Sequence, residues 1–352
     1  MTVQASDEVR AAVIHAPRDL RVERRALAAV GPGQVAVKIT NGGICGSDLH
    51  YYLHGGFGTV RLKEPMVLGH ELAGTVSEIG AGVTGLAPGQ KVAVNPSLPC
   101  GHCRYCLAGL PQQCLDMRFY GSAMRTPHVQ GGFAERIVCM AAQAVPIPDH
   151  VSLEQAAFAE PLAVCLHAVS RAGSLLGKRI LVTGSGPIGL LLVIAARRAG
   201  AGEIIVTDIR EAPLAKARAI GADHAFNLSA DPDALAPYAA NKGEFDVAFE
   251  ASGSPAAILA ALPVLRPQGV LVQVGQGGEV ALPISGLVGK EIEMRGSFRF
   301  HPEFATAVRF ISEGLVDVTP LLSAILPLER AVEAFDLAAD KDRSVKVQLS
   351  FD

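Results

Sequence analysis

The stretch RILVTGSGPIGLLLVIAARR, residues 179–198, decides how the rest of the chain is interpreted. It opens with a short apolar run typical of a buried strand, and from Leu190 it has the composition of a helix. Between these parts, residues 184–189 spell Gly-x-Gly-x-x-Gly. The motif alone is weak, but between a strand and a helix it predicts a dinucleotide-binding turn. The competing interpretation is an ordinary glycine-rich turn of an α/β domain.

Each glycine of this turn has a separate expected role. Gly184 permits the tight turn, Gly186 lets a pyrophosphate approach the backbone, and Gly189 lets the helix pack on the strand. Pro187 and Ile188 open the helix, whose free N–H groups are expected to face the phosphates.

Cofactor choice depends on residues at the ends of the following predicted strands. Asp208 is placed to accept hydrogen bonds from the adenosine ribose, and its charge repels a 2′-phosphate, which favours NAD over NADP. Arg210 lies close enough to weaken that preference. Val274 ends a later strand and completes the predicted cofactor-binding set.

The pattern of apolar and polar residues changes near Ser152. Before it, short alternating runs and long glycine-rich loops predict a mostly β region, with residues 42–58 as a loop. From Ser152, a capping box with Gln155 predicts a helix that runs to Ala172. Strands then alternate with helices, which predicts a parallel sheet with crossover helices. The predicted strands are residues 179–183, 203–207, 245–250, 269–274 and 291–296, and two helices (303–313, 328–339) and a strand (344–349) follow.

A set of potential metal ligands lies in the mostly β region. Cys45, His70 and Glu71 are in glycine-flanked loops, with the Ser47 hydroxyl and the His50 imidazole close in sequence to Cys45. Three protein ligands, an open position and a route for a proton describe a catalytic zinc site. The alternative is a buried structural cysteine beside an unrelated histidine.

A second cluster follows the pattern C-x2-C-x2-C-x7-C. Four thiolates in one loop can close a tetrahedron around a structural zinc ion, and an iron–sulfur cluster is the competing interpretation. The two remaining cysteines of the seven, Cys139 and Cys165, are expected to be buried and inert. The cluster comprises Cys100, Cys103, Cys106 and Cys114.

The length, net charge and apolar runs of the chain favour a globular protein of two domains. The 352 residues are enough for two domains, and 49% of them are hydrophobic. A net charge of −3 without a basic block argues against nucleic acid as a partner. The polar start of the chain shows no secretory signal, and glycines and a proline interrupt the most apolar run, residues 180–196, so no membrane helix is predicted. A cytoplasmic location is the default expectation.

Together these motifs resemble the zinc-dependent medium-chain dehydrogenases along essentially the whole chain. Glu160 stands where the alcohol dehydrogenases of this family place a third cysteine, which resembles the polyol branch with sorbitol dehydrogenase. The motifs that carry the resemblance are Gly43–Asp48, residues 69–71, the four-cysteine lobe, Glu160-Pro161-Leu162 and residues 184–189.

The resemblance implies an α/β architecture with two zinc ions and NAD. It places both zinc sites in a GroES-like, mostly β catalytic domain at residues 1–160. A Rossmann doubly wound domain would follow at residues 161–300, and residues 301–352 would return to the catalytic domain. A homotetramer or homodimer is implied in the same way.

The resemblance also assigns roles around the predicted catalytic zinc. Cys45 and His70 would hold the ion, and either Glu71 or Glu160 would complete the ligand set. Ser47 would take the substrate proton and pass it through the cofactor ribose toward His50.

Substrate contacts are implied at Tyr51 and Arg299, which match polyol-contacting positions of the branch. Arg118 and His128 are further cationic or titratable candidates, although they could be ordinary surface charges. Phe300 departs from the tyrosine common at its place, so hydroxyl recognition there is expected to differ.

The expected activity is NAD-linked oxidation of a secondary alcohol in a sugar acid or polyol. Residues 95–100, 116–124 and 296–300 resemble members of the branch that oxidise L-idonate to 5-keto-D-gluconate. Sorbitol, another polyol or L-threonine is the alternative substrate. A catalytically silent NAD-binding protein is disfavoured, because such a protein could lose Cys45, Ser47 or His70 without cost to folding.

Overall fold

A computed structural model describes residues 8–351 of the chain as two packed units, each built on one main sheet. The first seven residues lie outside the described residues. The prediction that the start of the chain is not a secretory signal concerns these residues in part. Within residues 8–351, no helix is both long and apolar enough to span a membrane.

The amino-terminal unit is mostly β, as the alternating pattern predicts. Its main sheet has the order β12-β8-β7-β3-β20-β19, with β11 also paired to β3. Its strands before residue 150 are β1 (Glu8–Ala16), β2 (Asp19–Ala26), β3 (Gln34–Gly43), β4 (Gly56–Phe57), β5 (Val60–Arg61), β6 (Met66–Val67), β7 (Glu71–Ile79), β8 (Lys91–Val94), β9 (Ser97–Leu98), β10 (Arg118–Phe119), β11 (Arg136–Met140) and β12 (Ala144–Pro146).

The second unit is a parallel sheet with the order β15-β14-β13-β16-β17-β18. The order reverses beside β13, and the carboxyl ends of strands at such a switch point form the usual ligand crevice of an open α/β sheet. The predicted parallel sheet is therefore confirmed, with one strand more than the sequence indicated. The strands are β13 (Arg179–Thr183), β14 (Glu203–Asp208), β15 (His224–Asn227), β16 (Phe245–Glu250), β17 (Leu265–Gln273) and β18 (Glu293–Gly296).

The chain returns to the first sheet after the parallel sheet is complete. Strand β19 (Leu322–Pro327) pairs with β20 (Lys346–Ser350), and β20 pairs antiparallel with β3. The division into domains at residues 160 and 300 stays a prediction in its exact boundaries. The helices are α1 (Gly46–His54), α2 (Arg104–Leu107), α3 (Leu153–Ala156), α4 (Ala159–Ala172), α5 (Pro187–Arg198), α6 (Glu211–Ala219), α7 (Pro255–Val264), α8 (Ile284–Lys290), α9 (Glu303–Ser312) and α10 (Ala331–Ala339).

Two segments differ from the sequence prediction. Residues 46–54 form helix α1 inside the stretch predicted as a loop, because the Asp48 carboxylate accepts the Cys45 N–H at 3.0 Å and starts a helix there. The helix predicted from Ser152 to Ala172 is two helices, α3 and α4. A continuous helix would place Pro161 in its interior, whereas a helix that restarts at Ala159 has this proline in its first turn.

Candidate functional site

The loop before α1 and the loop before β7 are joined by Asp48. Its carboxylate is fully buried and accepts the N–H of Cys45 with one oxygen (3.0 Å) and that of Gly69 with the other (3.1 Å). Asp48 therefore sets Cys45 beside His70. The sequence analysis gave Asp48 no role, although an acid at the third position of a helix is a known capping signal.

The predicted ligands of the catalytic metal meet at this junction. One ligand atom each from Cys45, His70 and Glu71 lies within 4.8 Å of the others. Glu160, in the first turn of α4, is buried and close enough to act electrostatically on all three. The structure thus brings together three of the four side chains that the resemblance placed around zinc, with Glu160 buried close by.

Lys346 of β20 is a member of this cluster that the sequence did not reveal. Its ammonium contacts both carboxylate oxygens of Glu71 at 2.7 Å and the carbonyl oxygen of Ile44 at 3.1 Å. Both side chains of the ion pair are buried. The pair joins residues that are 275 positions apart, so no local pattern could indicate it.

The charge balance of the cluster fits a divalent cation. Burial raises the pKa of the Cys45 thiol and of the Glu160 and Asp48 carboxyls, since neighbouring anions add to the desolvation cost. Lys346 lies among these acids and is paired with Glu71. A Zn²⁺ ion would offset the remaining negative charge.

His70 gives a second sign of the same fit. The imidazole is buried, and its Nδ1 atom has no hydrogen-bond partner within the described structure; Asp48 Oδ1 lies 3.7 Å from it. Of the two candidate carboxylates, Glu71 is committed to Lys346, whereas Glu160 forms no ion pair with a described residue. Both remain candidates for the third ligand.

The four-cysteine loop has the dimensions of a closed metal site. The sulfur atoms of Cys103 and Cys106 are 3.6 Å apart, and Cys100–Cys106 and Cys103–Cys114 are each 4.0 Å apart. A tetrahedron with Zn–S bonds of about 2.3 Å separates its sulfurs by about 3.8 Å. Backbone N–H groups of Cys100 and Asp116 donate to the Cys114 sulfur, as they would to a thiolate. The donor set therefore fits zinc.

Ser47 and His50 lie on α1, three positions apart. Residues at this spacing share a helix face, which is what the predicted proton relay requires. Ser47 is half-buried, and its backbone N–H donates to the Cys45 sulfur. Partial burial lowers the pKa of His50, and the positive charges of His54 and Lys341 lower it further, so the imidazole is neutral at pH 7.

The glycine-rich turn has the shape of a phosphate cradle. Gly184 has a φ of 90°, in the region that favours glycine, and a Cβ atom at Gly189 would lie 1.8 Å from the Gly184 carbonyl oxygen. A Cβ at Gly186 would instead meet open space. Pro187 and Ile188 begin α5 beside that space, in which a pyrophosphate fits at the helix N-terminus.

Asp208 has a structural role that the sequence analysis did not foresee. One carboxylate oxygen accepts the backbone N–H of Ser185 (2.6 Å) and its hydroxyl (2.8 Å), and the other accepts the N–H of Ile209 (2.7 Å) and Arg210 (3.1 Å). Asp208 therefore anchors the glycine-rich turn from the end of β14. The Arg210 guanidinium forms an ion pair with Asp342.

A buried acid supports the cofactor side of the parallel sheet. Glu250 ends β16, and its carboxylate accepts hydrogen bonds from Ser252, Gly253 and Gln273. Its backbone oxygen accepts the N–H of Val274 at 2.9 Å. Val274 thus lies in a loop that Glu250 orders, at the carboxyl edge of the sheet. From the sequence, Glu250 was predicted only as the last residue of a strand.

Arg299 lies close enough to the catalytic cluster for the charge of Glu160 to act on it. Its guanidinium lies over the ring of Phe119 at 4.2 Å and over that of Phe298 at 4.9 Å, and it donates to the Met124 sulfur at 3.2 Å. Burial lowers the pKa of Arg299 to about 10, an effect that Glu160 and Tyr51 partly offset. Among residues 8–351, no carboxylate forms an ion pair with it.

The backbone of Arg299 is strained, and the Phe119 ring beneath its guanidinium also contacts the metal site. Its φ of 54° is unusual for a residue other than glycine. Strained backbone conformations of this kind cluster at functional sites. The Phe119 ring also contacts His70, with centroids 5.4 Å apart. Tyr51 is buried nearby, where its hydroxyl accepts the Ala123 N–H at 3.0 Å.

The other two predicted substrate contacts, Arg118 and His128, lie in different surroundings from Arg299. Arg118 is exposed and precedes Phe119 in β10, so its side chain points to the opposite face of the strand. His128 is buried, with Nε2 accepting the Lys63 N–H (2.9 Å) and Nδ1 bonded to the Arg125 carbonyl (2.6 Å). Both of its ring nitrogens are therefore used within the protein.

Comparison with known proteins agrees with this geometry. The profile of the alcohol dehydrogenase GroES-like domain matches residues 31–149, and that of the zinc-binding dehydrogenase domain matches residues 187–313. The chain belongs to the zinc-dependent medium-chain alcohol dehydrogenase family. It is therefore a zinc-dependent oxidoreductase with a GroES-like and a Rossmann-type domain, and the predicted family and fold class are confirmed.

Two similar proteins, one of them with a solved structure, place the chain within the polyol branch of this dehydrogenase family. It is 49% identical to L-idonate 5-dehydrogenase (NAD(P)(+)) of Escherichia coli K12, over 90% of this chain and 91% of that protein. It is 37% identical to sorbitol dehydrogenase of Gallus gallus, over 99% of this chain and 98% of that one. The crystal structure of the E. coli L-idonate 5-dehydrogenase superposes with a TM-score of 0.94 at 45% identity, covering 98% and 99% of the two chains. These dehydrogenases imply NAD(H), zinc and a small polyol or sugar substrate.

Proposed function

We propose that this dehydrogenase oxidises the C5 hydroxyl of L-idonate to the ketone, giving 5-keto-D-gluconate, and that NAD is its preferred acceptor. The observation that carries the proposal is the cation at Arg299, held close to the catalytic cluster without a carboxylate partner among the described residues. Keeping a partly desolvated charge unpaired costs free energy, so the site is matched to an anion. An aldonate provides a carboxylate at the end of the molecule remote from C5, whereas sorbitol provides none.

Arginine suits this task better than lysine would. Its planar fork can donate two parallel hydrogen bonds to a carboxylate, and Phe119 and Phe298 fix the plane of that fork. The 49% identity to an L-idonate 5-dehydrogenase supports the same substrate.

The protein's own residues provide positioning and a proton path. Cys45, His70 and either Glu71 or Glu160 would hold zinc, which when bound supplies a Lewis acid that lowers the pKa of the reacting hydroxyl. The Ser47 hydroxyl takes the proton from the substrate. The neutral His50 imidazole, one turn further along α1, receives it at the solvent side.

The second zinc site has no open position in this proposal. The four thiolates of the cysteine loop would hold a structural ion, so we propose two zinc ions per chain. Residues 184–189, with Asp208 behind them, would hold NAD, which accepts the hydride that leaves C5.

A panel of substrates tests the activity. We expect L-idonate to be oxidised with NAD at a higher kcat/KM than sorbitol by about 10–150-fold, the value of one charge-assisted hydrogen-bonded pair. The formation of NADH is followed by absorbance with C5 and C6 polyols and aldonates. If sorbitol exceeds every aldonate, the protein is a polyol dehydrogenase and the sugar-acid assignment is wrong.

Two arginine variants test how the substrate is recognised. Arg299→Leu should reduce the preference for L-idonate over sorbitol while sorbitol turnover changes little. Arg118→Leu is the matched control, because it removes the same charge from the exposed face of β10. Loss of the preference in Arg118→Leu but not in Arg299→Leu would move the carboxylate site away from Arg299.

A further inference from the structure

The segment of residues 340–346 crosses from the cofactor unit to the catalytic centre. At one end, Asp342 forms an ion pair with Arg210, which follows the ribose-facing end of β14. At the other end, Lys346 forms an ion pair with Glu71. The segment therefore connects the cofactor unit with the catalytic centre, and its residues between these anchors lie between the two.

Lys341 and the exposed Arg343 are the cations of this segment that form no ion pair with a residue of the described range 8–351, and Lys341 is the one that burial partly removes from solvent. Its ammonium donates one hydrogen bond of 3.3 Å to the carbonyl of Ala338 at the end of α10. An ammonium group has three N–H donors, so two remain for a ligand.

The ion pair between Arg210 and Asp342, the residue after Lys341 in the chain, holds Lys341 close to the end of β14. The positive charge of Lys341 lowers the pKa of His50, the relay residue expected near the nicotinamide ribose. Burial lowers the pKa of Lys341 itself, and the charges of Lys346 and Arg210 lower it further, while Cys45 opposes them. Lys341 is thus near both His50 and Arg210, the latter at the adenosine end.

A dinucleotide carries its diphosphate between its two riboses. The open space at Gly186, before the N-terminus of α5, belongs to the turn that Asp208 holds beside Arg210, since Asp208 accepts the N–H groups of both Ser185 and Arg210. We propose that Lys341 is a cofactor-binding residue, which binds the diphosphate of the nicotinamide dinucleotide from the side opposite to α5. The two phosphates would then be held between a helix N-terminus and a lysine from the catalytic unit.

The neighbouring cations Lys346 and Arg210 are less suited to bind the diphosphate. Lys346 is held by Glu71, and Arg210 is held by Asp342, so both have a protein anion already. A partner with two negative charges would relieve the repulsion among the three cations. The inference depends on the dinucleotide site alone and is independent of the sugar acid proposed above.

Calorimetric titration of the zinc-loaded protein with ADP-ribose and with adenosine tests the proposal. Lys341→Gln should weaken ADP-ribose binding about 10–100-fold and leave adenosine binding unchanged, because only ADP-ribose carries the diphosphate. Lys341→Arg should retain most of the affinity. The salt dependence of ADP-ribose binding should decrease in Lys341→Gln, since one charge contact is lost.

The matched control is Lys242→Gln. Lys242 is exposed just before β16, at the amino edge of the parallel sheet, so this variant changes net charge equally without touching the turn at Gly186. Equal ADP-ribose affinity in Lys341→Gln and in the unmodified protein would overturn the proposal. So would an equal loss for ADP-ribose and adenosine, which would indicate that Lys341 only caps α10.

Discussion

Among the single residues of the catalytic centre, Ser47 differs from its neighbours in having an uncommitted side chain. Asp48 is used to join two loops, and Glu71 is used in the ion pair with Lys346. The Ser47 hydroxyl makes no hydrogen bond within the described structure, although its backbone N–H serves the Cys45 sulfur. A hydroxyl kept free beside the proposed ligands is available to a substrate proton.

Ser47→Ala is therefore expected to impair turnover and spare cofactor binding. A positioned acid–base group contributes about 10²–10⁴-fold to the rate, so kcat should fall by that factor. The affinity for NADH, measured by fluorescence titration, should stay the same. Ser229→Ala, an exposed serine of the cofactor unit, is the control. A fully active Ser47→Ala enzyme would remove this residue from the proton path.

At the scale of elements, local patterns predicted what local interactions determine. The glycine-rich turn and strands β13 and β16 were predicted with their observed bounds, because apolar runs and glycines are visible in sequence. Strand β15, His224–Asn227, was missed because it is short and only partly apolar. Helix α1 was missed because glycine and histidine concealed a helix that starts from one carboxylate contact at Asp48.

In the candidate site, too, contacts within one loop were predicted and contacts between distant parts of the chain were not. The cysteine spacing predicted four sulfurs that the structure brings together, since fifteen residues of one loop close around one point. Lys346 and the pairing of Arg210 with Asp342 were not predicted, because each contact joins distant parts of the chain. The engagement of both His128 nitrogens depends on backbone groups of two loops, which residue types do not reveal.

The four-cysteine loop supports a prediction about metal content. We expect elemental analysis to find two zinc ions per chain, and Cys103→Ser should reduce the count to one while lowering thermal stability. A chelator should remove the ion near His70 first, because a site with an open position exchanges faster than four thiolates do. A count of one zinc, or the presence of iron, in the unmodified protein would contradict this assignment.

For the whole molecule, the contact between Lys346 and Glu71 connects the last strand of the fold to the catalytic loop. Both partners are buried, and the ammonium also contacts the Ile44 carbonyl beside Cys45. Removal of one partner of a buried ion pair leaves the other charge without compensation, which typically costs about 3–5 kcal/mol.

Lys346→Met should consequently lower the stability of the protein by about 3–5 kcal/mol. The double variant with Glu71→Gln should recover part of the loss, because the unpaired buried charge is then absent. Denaturant unfolding with zinc present measures both, and Lys242→Met is an exposed control. Unchanged stability in the single variant would show that Glu71 finds another cation in solution.

The return of β20 to β3 has a consequence for biosynthesis. All strands of the parallel sheet lie between residues 179 and 296, so that unit can fold as soon as this part of the chain leaves the ribosome. The sheet that carries the catalytic loops cannot be completed then: β3 pairs early with β7 and β11, but its Asn41–Gly43 end waits for β20, which is synthesised about three hundred residues later. The nascent protein thus exposes an unfinished sheet edge throughout the translation of its cofactor unit, and Lys346 reaches Glu71 only as that edge is closed.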